Sequence, residues 1–235
     1  ALVKARDYSP GPVSVHVTTT KGKGYEPAEE DSISFHGVSG KNNVNNAIPS
    51  YSEVFGKTLL RLFQENERLV AISAAMIEGT GLNIVAQKYP KRVFDVGICE
   101  QHAVTFAAGL ATRGFIPIVA IYSTFLQRAF DQIIHDVCIQ NLPVIFALDR
   151  AGIVGEDGKT HQGTLDLSYL SCIPNLVVAA PRDENELGHL LYTATRSDCP
   201  MAIRYPRGSG LGVAVDEKFK ELPIGKGEVL KTGTD

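Results

Sequence analysis

A doubly wound α/β domain is the fold that the middle of this chain predicts, built on a mostly parallel six-stranded sheet with helices on both faces. Apolar segments of strand length alternate regularly with segments of helical periodicity. The strand segments are near-continuous Val, Ile and Leu runs, the pattern of strands buried on both faces, so the sheet is parallel and its crossovers are helical.

Residues 12–20, Pro-Val-Ser-Val-His-Val-Thr-Thr-Thr, are alternating and β-branched and predict one strand, with no neighbour upstream to pair with it. Residues 28–49 are polar, with Gly37, Gly40 and an Asn-rich run (Asn42, Asn43, Asn45, Asn46), and read as a linker. Ser50 followed by Glu53 predicts a capping box, after which Tyr51, Val54, Phe55, Leu59, Leu62 and Phe63 recur at helical spacing. Leu69–Ser73 is the first predicted strand of the domain, Arg92–Asp95 the second and Ile116–Ile121 the third. An Ala-rich helix is predicted over Glu100–Arg113, and one long helix over Thr124–Gln140. Pro143–Asp149 is the fourth strand, followed by a Gly-rich loop to Gly163. Leu176–Ala180 is the fifth, and Asp183 with Glu186 caps a helix to about Arg196. Ala202–Tyr205 is the sixth. From Gly225 a further strand-like element starts and stops, so the chain is expected to be a fragment: a domain tail (1–27), the linker, the α/β domain (50–222) and the start of another domain (223–235).

Composition narrows the class. A hydrophobic fraction of 44% with 21% charged residues excludes global disorder in a chain of 235 residues. With 23 Lys+Arg against 26 Asp+Glu the net charge is −3, which argues against a nucleic-acid or membrane-surface partner. No apolar run approaches the roughly 20 residues that span a bilayer. Cys99, Cys138, Cys172 and Cys199 are far apart, which fits reduced thiols in a cytoplasmic protein, and the N-terminus shows no signal-peptide pattern.

In such a sheet ligands bind beyond the carboxyl ends of the strands. The residues just past the predicted strands are Glu78, Glu100, Tyr122, Ser123, Phe125, Asp149, Arg150, Asp157, His161, Pro181, Arg182 and Arg207. One edge thus gathers carboxylates, arginines, a histidine and aromatic rings. Taken alone, each also fits a bland role: Glu100 as an anion at a helix N-terminus, Phe125 as core, Arg128 as a helix-surface charge and His161 as a solvated loop residue.

The run Asp95-Val-Gly-Ile-Cys-Glu-Gln-His-Ala-Val-Thr-Phe-Ala-Ala-Gly-Leu110 resembles the glutamate segment in the pyrimidine-binding domain of transketolase-type, thiamine-diphosphate-dependent enzymes. Tyr122-Ser-Thr-Phe-Leu-Gln-Arg-Ala-Phe-Asp131, Asp149-Arg-Ala-Gly-Ile-Val-Gly-Glu-Asp-Gly-Lys-Thr-His161 and Arg204-Tyr-Pro-Arg-Gly208 are similar to the 1-deoxy-D-xylulose-5-phosphate synthase family in particular. His16-Val-Thr-Thr-Thr-Lys-Gly-Lys-Gly-Tyr-Glu-Pro27 is similar to the end of that family's diphosphate-binding first domain, so the resemblance covers nearly the whole chain.

The resemblance implies condensation of pyruvate with D-glyceraldehyde 3-phosphate, with loss of CO2, by a homodimer that uses thiamine diphosphate and Mg2+. It implies that Glu100 meets the cofactor's aminopyrimidine with a carboxyl whose pKa burial raises. Phe125 would stack on that ring, Tyr122 would line the same wall, and Arg128 would be a further pocket residue. Arg150 and Arg207 become the phosphate ligands, with Tyr122 and Asp157 beside the substrate. His161 and His36, the latter matching a linker histidine, become catalytic candidates. His16, His102, His135 and His189 are assigned no role. The Gly-Asp-Gly…Asn metal motif is not among these residues, so no metal ligand is assigned and the isolated chain is expected to bind cofactor weakly and to be inactive. Two other readings stay open: another transketolase-type enzyme, such as transketolase itself or the β subunit of a 2-oxo acid dehydrogenase, and a non-catalytic folding or dimerisation module.

Overall fold

The computed structural model describes residues 1–36, 48–155, 157–226, 229 and 231–233. The chain divides into two units, Ala1–Asn46 and Ala47–Asp235.

The first unit holds α1 (Leu2–Arg6), α2 (Glu26–Glu30) and a 3-10 turn, Ser34–His36. The strand expected over residues 12–20 does not form: Val13, Val15 and Val17 are 43%, 42% and 66% exposed, and that segment carries no regular element. Its alternation is real, but a strand needs a ladder partner, and among the described residues of this unit there is none. The Asn-rich part of the linker lies outside the described residues.

The second unit opens with α3 (Tyr51–Glu65), where the Ser50 side chain accepts from the Glu53 amide at 3.2 Å. Only half of the expected capping box is made, because the Glu53 carboxylate takes Lys57 Nζ at 2.6 Å instead of turning back. Strand β1 (Leu69–Ser73) leads through short helices α4 (Ile77–Thr80) and α5 (Asn83–Ala86) to β2 (Val93–Asp95), and α6 (Glu100–Thr112) then leads to β3 (Ile116–Tyr122).

The long helix expected over 124–140 is broken into α7 (Ser123–Leu126), a 3-10 turn (Gln127–Ala129), α8 (Phe130–Gln132) and a π-helical segment (Ile133–Cys138). The break falls at Ala129, whose backbone leaves the helical region at φ −103° and ψ 21°. Downstream the bonds widen by one residue, as in Ile139 N–H to Ile134 O at 2.9 Å. Neither Gly nor Pro marks the position, so periodicity alone reads straight through it.

Strand β4 (Ile145–Asp149), α9 (Asp166–Leu170), β5 (Val177–Ala179), α10 (Glu184–Ala194) and β6 (Met201–Arg204) complete the unit. The strand-like start expected from residue 225 falls partly outside the described residues, and those described there form no strand.

All strands pair in parallel, in the order β2-β1-β3-β4-β6-β5, so β3 and β4 are central and the order reverses around β1. The strands serve two cores. Leu69, Ala71, Ile118, Ala120, Ile145 and Ala147 face α3 and α10 through Phe55, Leu59, Leu187 and Leu191. Ile72, Val119, Ile121, Phe146 and Leu148 face the other layer through Ala103, Val104, Ala107, Ile133 and Val137. Two-sided burial is the physical reason for the unbroken apolar runs. The alanines of α6 let that helix lie close to the sheet, which fixes where its N-terminus, Glu100, can be. Among the described residues no helix is long and apolar enough to cross a membrane.

Candidate active site

The carboxyl ends of β3, β4 and β6, together with the head of α6, converge on one polar cluster. Tyr122 is the last residue of β3, and the chain turns directly into α7, which brings Phe125 back onto it. The two rings stack with centroids 5.6 Å apart and planes at 21°. His161 meets Phe125 edge-on at 5.2 Å. The Arg128 guanidinium lies 5.0 Å from the Phe125 centroid. Its Nη1 reaches Glu100 Oε1 at 3.4 Å.

Glu100 is 2% exposed, although it begins a helix, where a carboxylate would usually sit in water. A buried carboxyl with one long contact to a half-exposed arginine retains capacity for another hydrogen bond. The helix N-terminus adds donors with no intrahelical partner next to it.

Arg150 follows β4 with φ +60°, a conformation non-glycine residues adopt only when their surroundings hold them there. Its guanidinium carbon lies 3.6 Å from the Tyr122 centroid. Nη1 donates to the Gly79 carbonyl at 2.9 Å. The same nitrogen is 3.0 Å from Asp149 Oδ1, an ion pair by distance. Among the described residues, Asp149 Oδ1 and Arg150 Nε are both buried without a hydrogen-bond partner. Removing one member of such a pair costs roughly 3–5 kcal/mol, so the two side chains stay together. Burial pushes the Asp149 carboxyl above the usual range, opposed by Arg150 and by the Ser52 hydroxyl. Burial likewise raises the Tyr122 phenol, with Arg150 pulling it back. The Tyr205 hydroxyl is fully buried, has no hydrogen-bond partner among the described residues and is held well above the ordinary tyrosine value, first by desolvation and then by Asp149.

Asp157 links the remaining groups. Its Oδ2 accepts from Arg207 Nη1 at 3.0 Å and lies 4.0 Å from Arg150 Nε, while Oδ1 is 3.5 Å from His161 Nδ1. The loop that carries Asp157 and His161 closes on itself. Gly152 and Gly163 exchange backbone bonds at 2.7 and 2.8 Å, and the Gln162 side chain bonds both backbone groups of Val154. Glycine is required at 163, where a Cβ would stand 2.3 Å from the Arg150 carbonyl oxygen. Below the loop, Asp166 Oδ2 accepts from Ser123 Oγ and Arg204 Nε, each at 2.9 Å.

The structure thus joins Glu100, Tyr122, Phe125, Arg128, Arg150, Asp157, His161 and Arg207. Glu78 is exposed on α4, and Arg182, after edge strand β5, pairs with Glu186. His36 lies in the first unit. His102 stacks on Phe106, His135 pairs with Asp136 on the surface, and His189 accepts from the Lys220 amide at 3.1 Å. Among the described residues no group of three or more His, Cys, Asp or Glu side chains could hold a metal ion. Sequence reasoning missed Ser52, Gly79, Gln162 and Asp166. An acidic residue closing an otherwise apolar central strand did mark Asp149, but nothing in the sequence joins it to Ser52, 97 positions away.

Residues 48–211 match the model of the family described as transketolase, pyrimidine binding domain. A protein of Dehalococcoides mccartyi named 1-deoxy-D-xylulose-5-phosphate synthase is 58% identical over 237 residues, covering 100% of this chain and 37% of that protein. One of the same name from Syntrophus aciditrophicus is 61% identical over 232 residues, covering 95% of this chain and 36% of that protein. The chain therefore spans a little over a third of the length of these curated relatives. Among solved structures, a split-gene transketolase in an inactive beta4 tetramer is 32% identical with a TM-score of 0.63, covering 73% of this chain and 56% of that one. Transketolase from Campylobacter jejuni, at 21% identity and a TM-score of 0.64 over 73% of this chain and 28% of that one, shares the fold.

Proposed function

The chain belongs to the transketolase pyrimidine-binding domain family, and from that premise we propose that it carries the cofactor-pyrimidine and phosphate-binding half of a 1-deoxy-D-xylulose-5-phosphate synthase active site. The observation that carries the reading is the burial of Glu100, joined through Arg128 to the Phe125–Tyr122 wall, on the same sheet edge as Arg150 and Arg207. The relatives named for this synthase, matched over 95–100% of the chain, support it.

The chemistry thiamine diphosphate supplies when bound is removal of CO2 from pyruvate and transfer of the two-carbon remainder to the aldehyde of D-glyceraldehyde 3-phosphate. This chain's residues place and charge the groups around it. In this reading the buried Glu100 carboxyl shares a proton with the pyrimidine ring nitrogen. Phe125 and Tyr122 offer aromatic surface to the ring, worth on the order of 0.5–1.5 kcal/mol per good contact beyond area burial. Arg128 balances charge at Glu100. Arg150 and Arg207, spaced by Asp157, present guanidinium donors to the phosphoryl group, so a chain of net charge −3 still offers a positive local field. His161, on the same wall, is a candidate to hydrogen-bond substrate oxygens, with Asp157 orienting it, and His36 is a further catalytic candidate from the linker.

In this reading residues 1–27 are the tail of a diphosphate-binding domain, 28–49 a linker, 50–222 the pyrimidine-binding domain and 223–235 the start of a third. Mg2+ and the diphosphate are held by protein outside these residues, in a homodimer. The four free cysteines suit a cytoplasmic setting, and Cys138, whose thiol burial pushes up to about 12, is chemically quiet. The split-gene transketolase solved as an inactive beta4 tetramer supports the expectation that the chain alone is inactive. Calorimetric titration of this chain with thiamine diphosphate tests the division of labour: weak binding is expected, and micromolar affinity without the diphosphate-binding domain would overturn it.

A further inference from the structure

We propose that Ser52 is a positioning residue for the substrate's phosphoryl group, acting through Asp149 on Arg150 while the backbone beside it fixes Arg207. The inference rests on the reading of Arg150 and Arg207 as a phosphoryl clamp. The first turn of α3 touches both arms of that clamp. On one side Ser52 Oγ donates to Asp149 Oδ2 at 2.6 Å, the short distance of a bond to a charged acceptor. Asp149 is fully buried, and its other oxygen lies 3.0 Å from Arg150 Nη1. On the other side the Tyr51 amide donates to the Gly208 carbonyl and the Gly210 amide to the Pro49 carbonyl, each at 3.0 Å, with an antiparallel bridge between Ser50 and Ser209. Arg207 is the residue just before this clasp. One turn is therefore bonded both to the carboxylate that faces Arg150 and to the backbone just after Arg207, 57 positions further along the chain.

Arg150 needs such a hold. It sits at φ +60° and its buried Nε has no acceptor among the described residues, which leaves a donor to be met by a ligand oxygen. A carboxylate free to rotate would let the guanidinium follow it. With Oδ2 pinned by the hydroxyl, Asp149 offers Arg150 one oxygen in one place. The bland alternative is that Ser52 is a polar residue in a first helical turn, where its hydroxyl affects helix stability alone.

The test is steady-state kinetics of the full-length enzyme with a phosphorylated and a non-phosphorylated aldehyde. Ser52→Ala is expected to raise KM for the phosphorylated aldehyde about tenfold, the loss of one hydrogen bond to a charged group. KM for pyruvate and for the non-phosphorylated aldehyde, kcat, and hydrogen exchange at the cofactor's reactive carbon are expected to hold, and Ser52→Thr is expected to restore the parent KM. An unchanged KM for the phosphorylated aldehyde, or equal losses with both aldehydes, overturns the proposal. Arg150→Ala separates this failure from that of the underlying reading. If Arg150→Ala impairs the phosphorylated aldehyde and Ser52→Ala does not, only the positioning role falls. If neither does, the phosphoryl clamp itself is wrong.

Discussion

The guanidinium of Arg150 lies 3.6 Å from the ring centroid of Tyr122, so a buried cation of the site rests on the aromatic wall that frames it. Cation and ring hold each other, and a desolvated contact of this kind contributes about 2 kcal/mol. The geometry needs a planar cation with several donors, since the same group also serves Gly79 and faces Asp149.

Replacing Arg150 with Ala in the complete enzyme is expected to raise KM for the aldehyde phosphate by roughly 10- to 100-fold, the range for hydrogen bonds to a charged group, and to change KM for pyruvate far less. Arg150→Lys should recover only part of the loss, because an ammonium neither forks nor stacks as a guanidinium does. Steady-state kinetics with each substrate varied in turn reads the difference, and equal losses for both substrates reject the phosphate assignment.

Gly79 sits under the tyrosine. A Cβ there would stand 1.7 Å from the Tyr122 hydroxyl and 2.9 Å from the ring carbon that bears it, so the ring must swing off its place. Gly79→Ala is expected to cost about 1–3 kcal/mol by overpacking and to disturb the Tyr122–Arg150 contact as well. Gly109, in the middle of α6 with open space around it, is the contrast: Gly109→Ala should stabilise by up to about 1 kcal/mol. Denaturant melts of the two variants have opposite expected signs, and two shifts of the same sign contradict the packing described here.

The segment after β6 is tied down by a carboxylate. Glu184 is fully buried at the start of α10, and its Oε1 accepts from the Gly212 amide at 2.7 Å. Burial by itself raises the carboxyl pKa, but the amides of Glu184, Gly212, Leu211 and Val213 together outweigh it and hold the value below the usual range. A depressed pKa contributes stability that is present above the unfolded value, about 4.3, and is lost as pH falls through the folded value. Glu184→Gln should therefore destabilise by about 1–3 kcal/mol at neutral pH, with the gap to the parent closing below about pH 4. Urea titrations at several pH values measure it, and a gap that stays constant with pH contradicts the role.

How much could be read in the sequence depended on the range of the interaction. Ile116-Pro-Ile-Val-Ala-Ile-Tyr122 announces a strand buried on both faces, and the sheet confirms it, because periodicity and burial are local properties of one segment. Residues 12–20 carry an equally good local pattern and form no strand, since pairing depends on a neighbour the segment cannot encode. The break at Ala129 was likewise silent, because the shift to wider helical bonds comes from packing of the π segment on α6, where Thr105 bonds Asp136. Strand ends pointed to Glu100, Tyr122 and Arg150 by topology. Ser52 and Gly79 stayed hidden because their partners are set by tertiary approach: Ser52 to Asp149 spans 97 positions and Arg150 to Gly79 spans 71.

Hydrogen–deuterium exchange at C2 of thiamine diphosphate bound to the full-length enzyme is the most direct measurement, taken before any substrate is added. If Glu100 supplies the proton contact that activates the pyrimidine, Glu100→Gln should slow exchange by about 100-fold or more, the scale of acid–base assistance, at saturating cofactor. Exchange at the parent rate in that variant would contradict the assignment of this site.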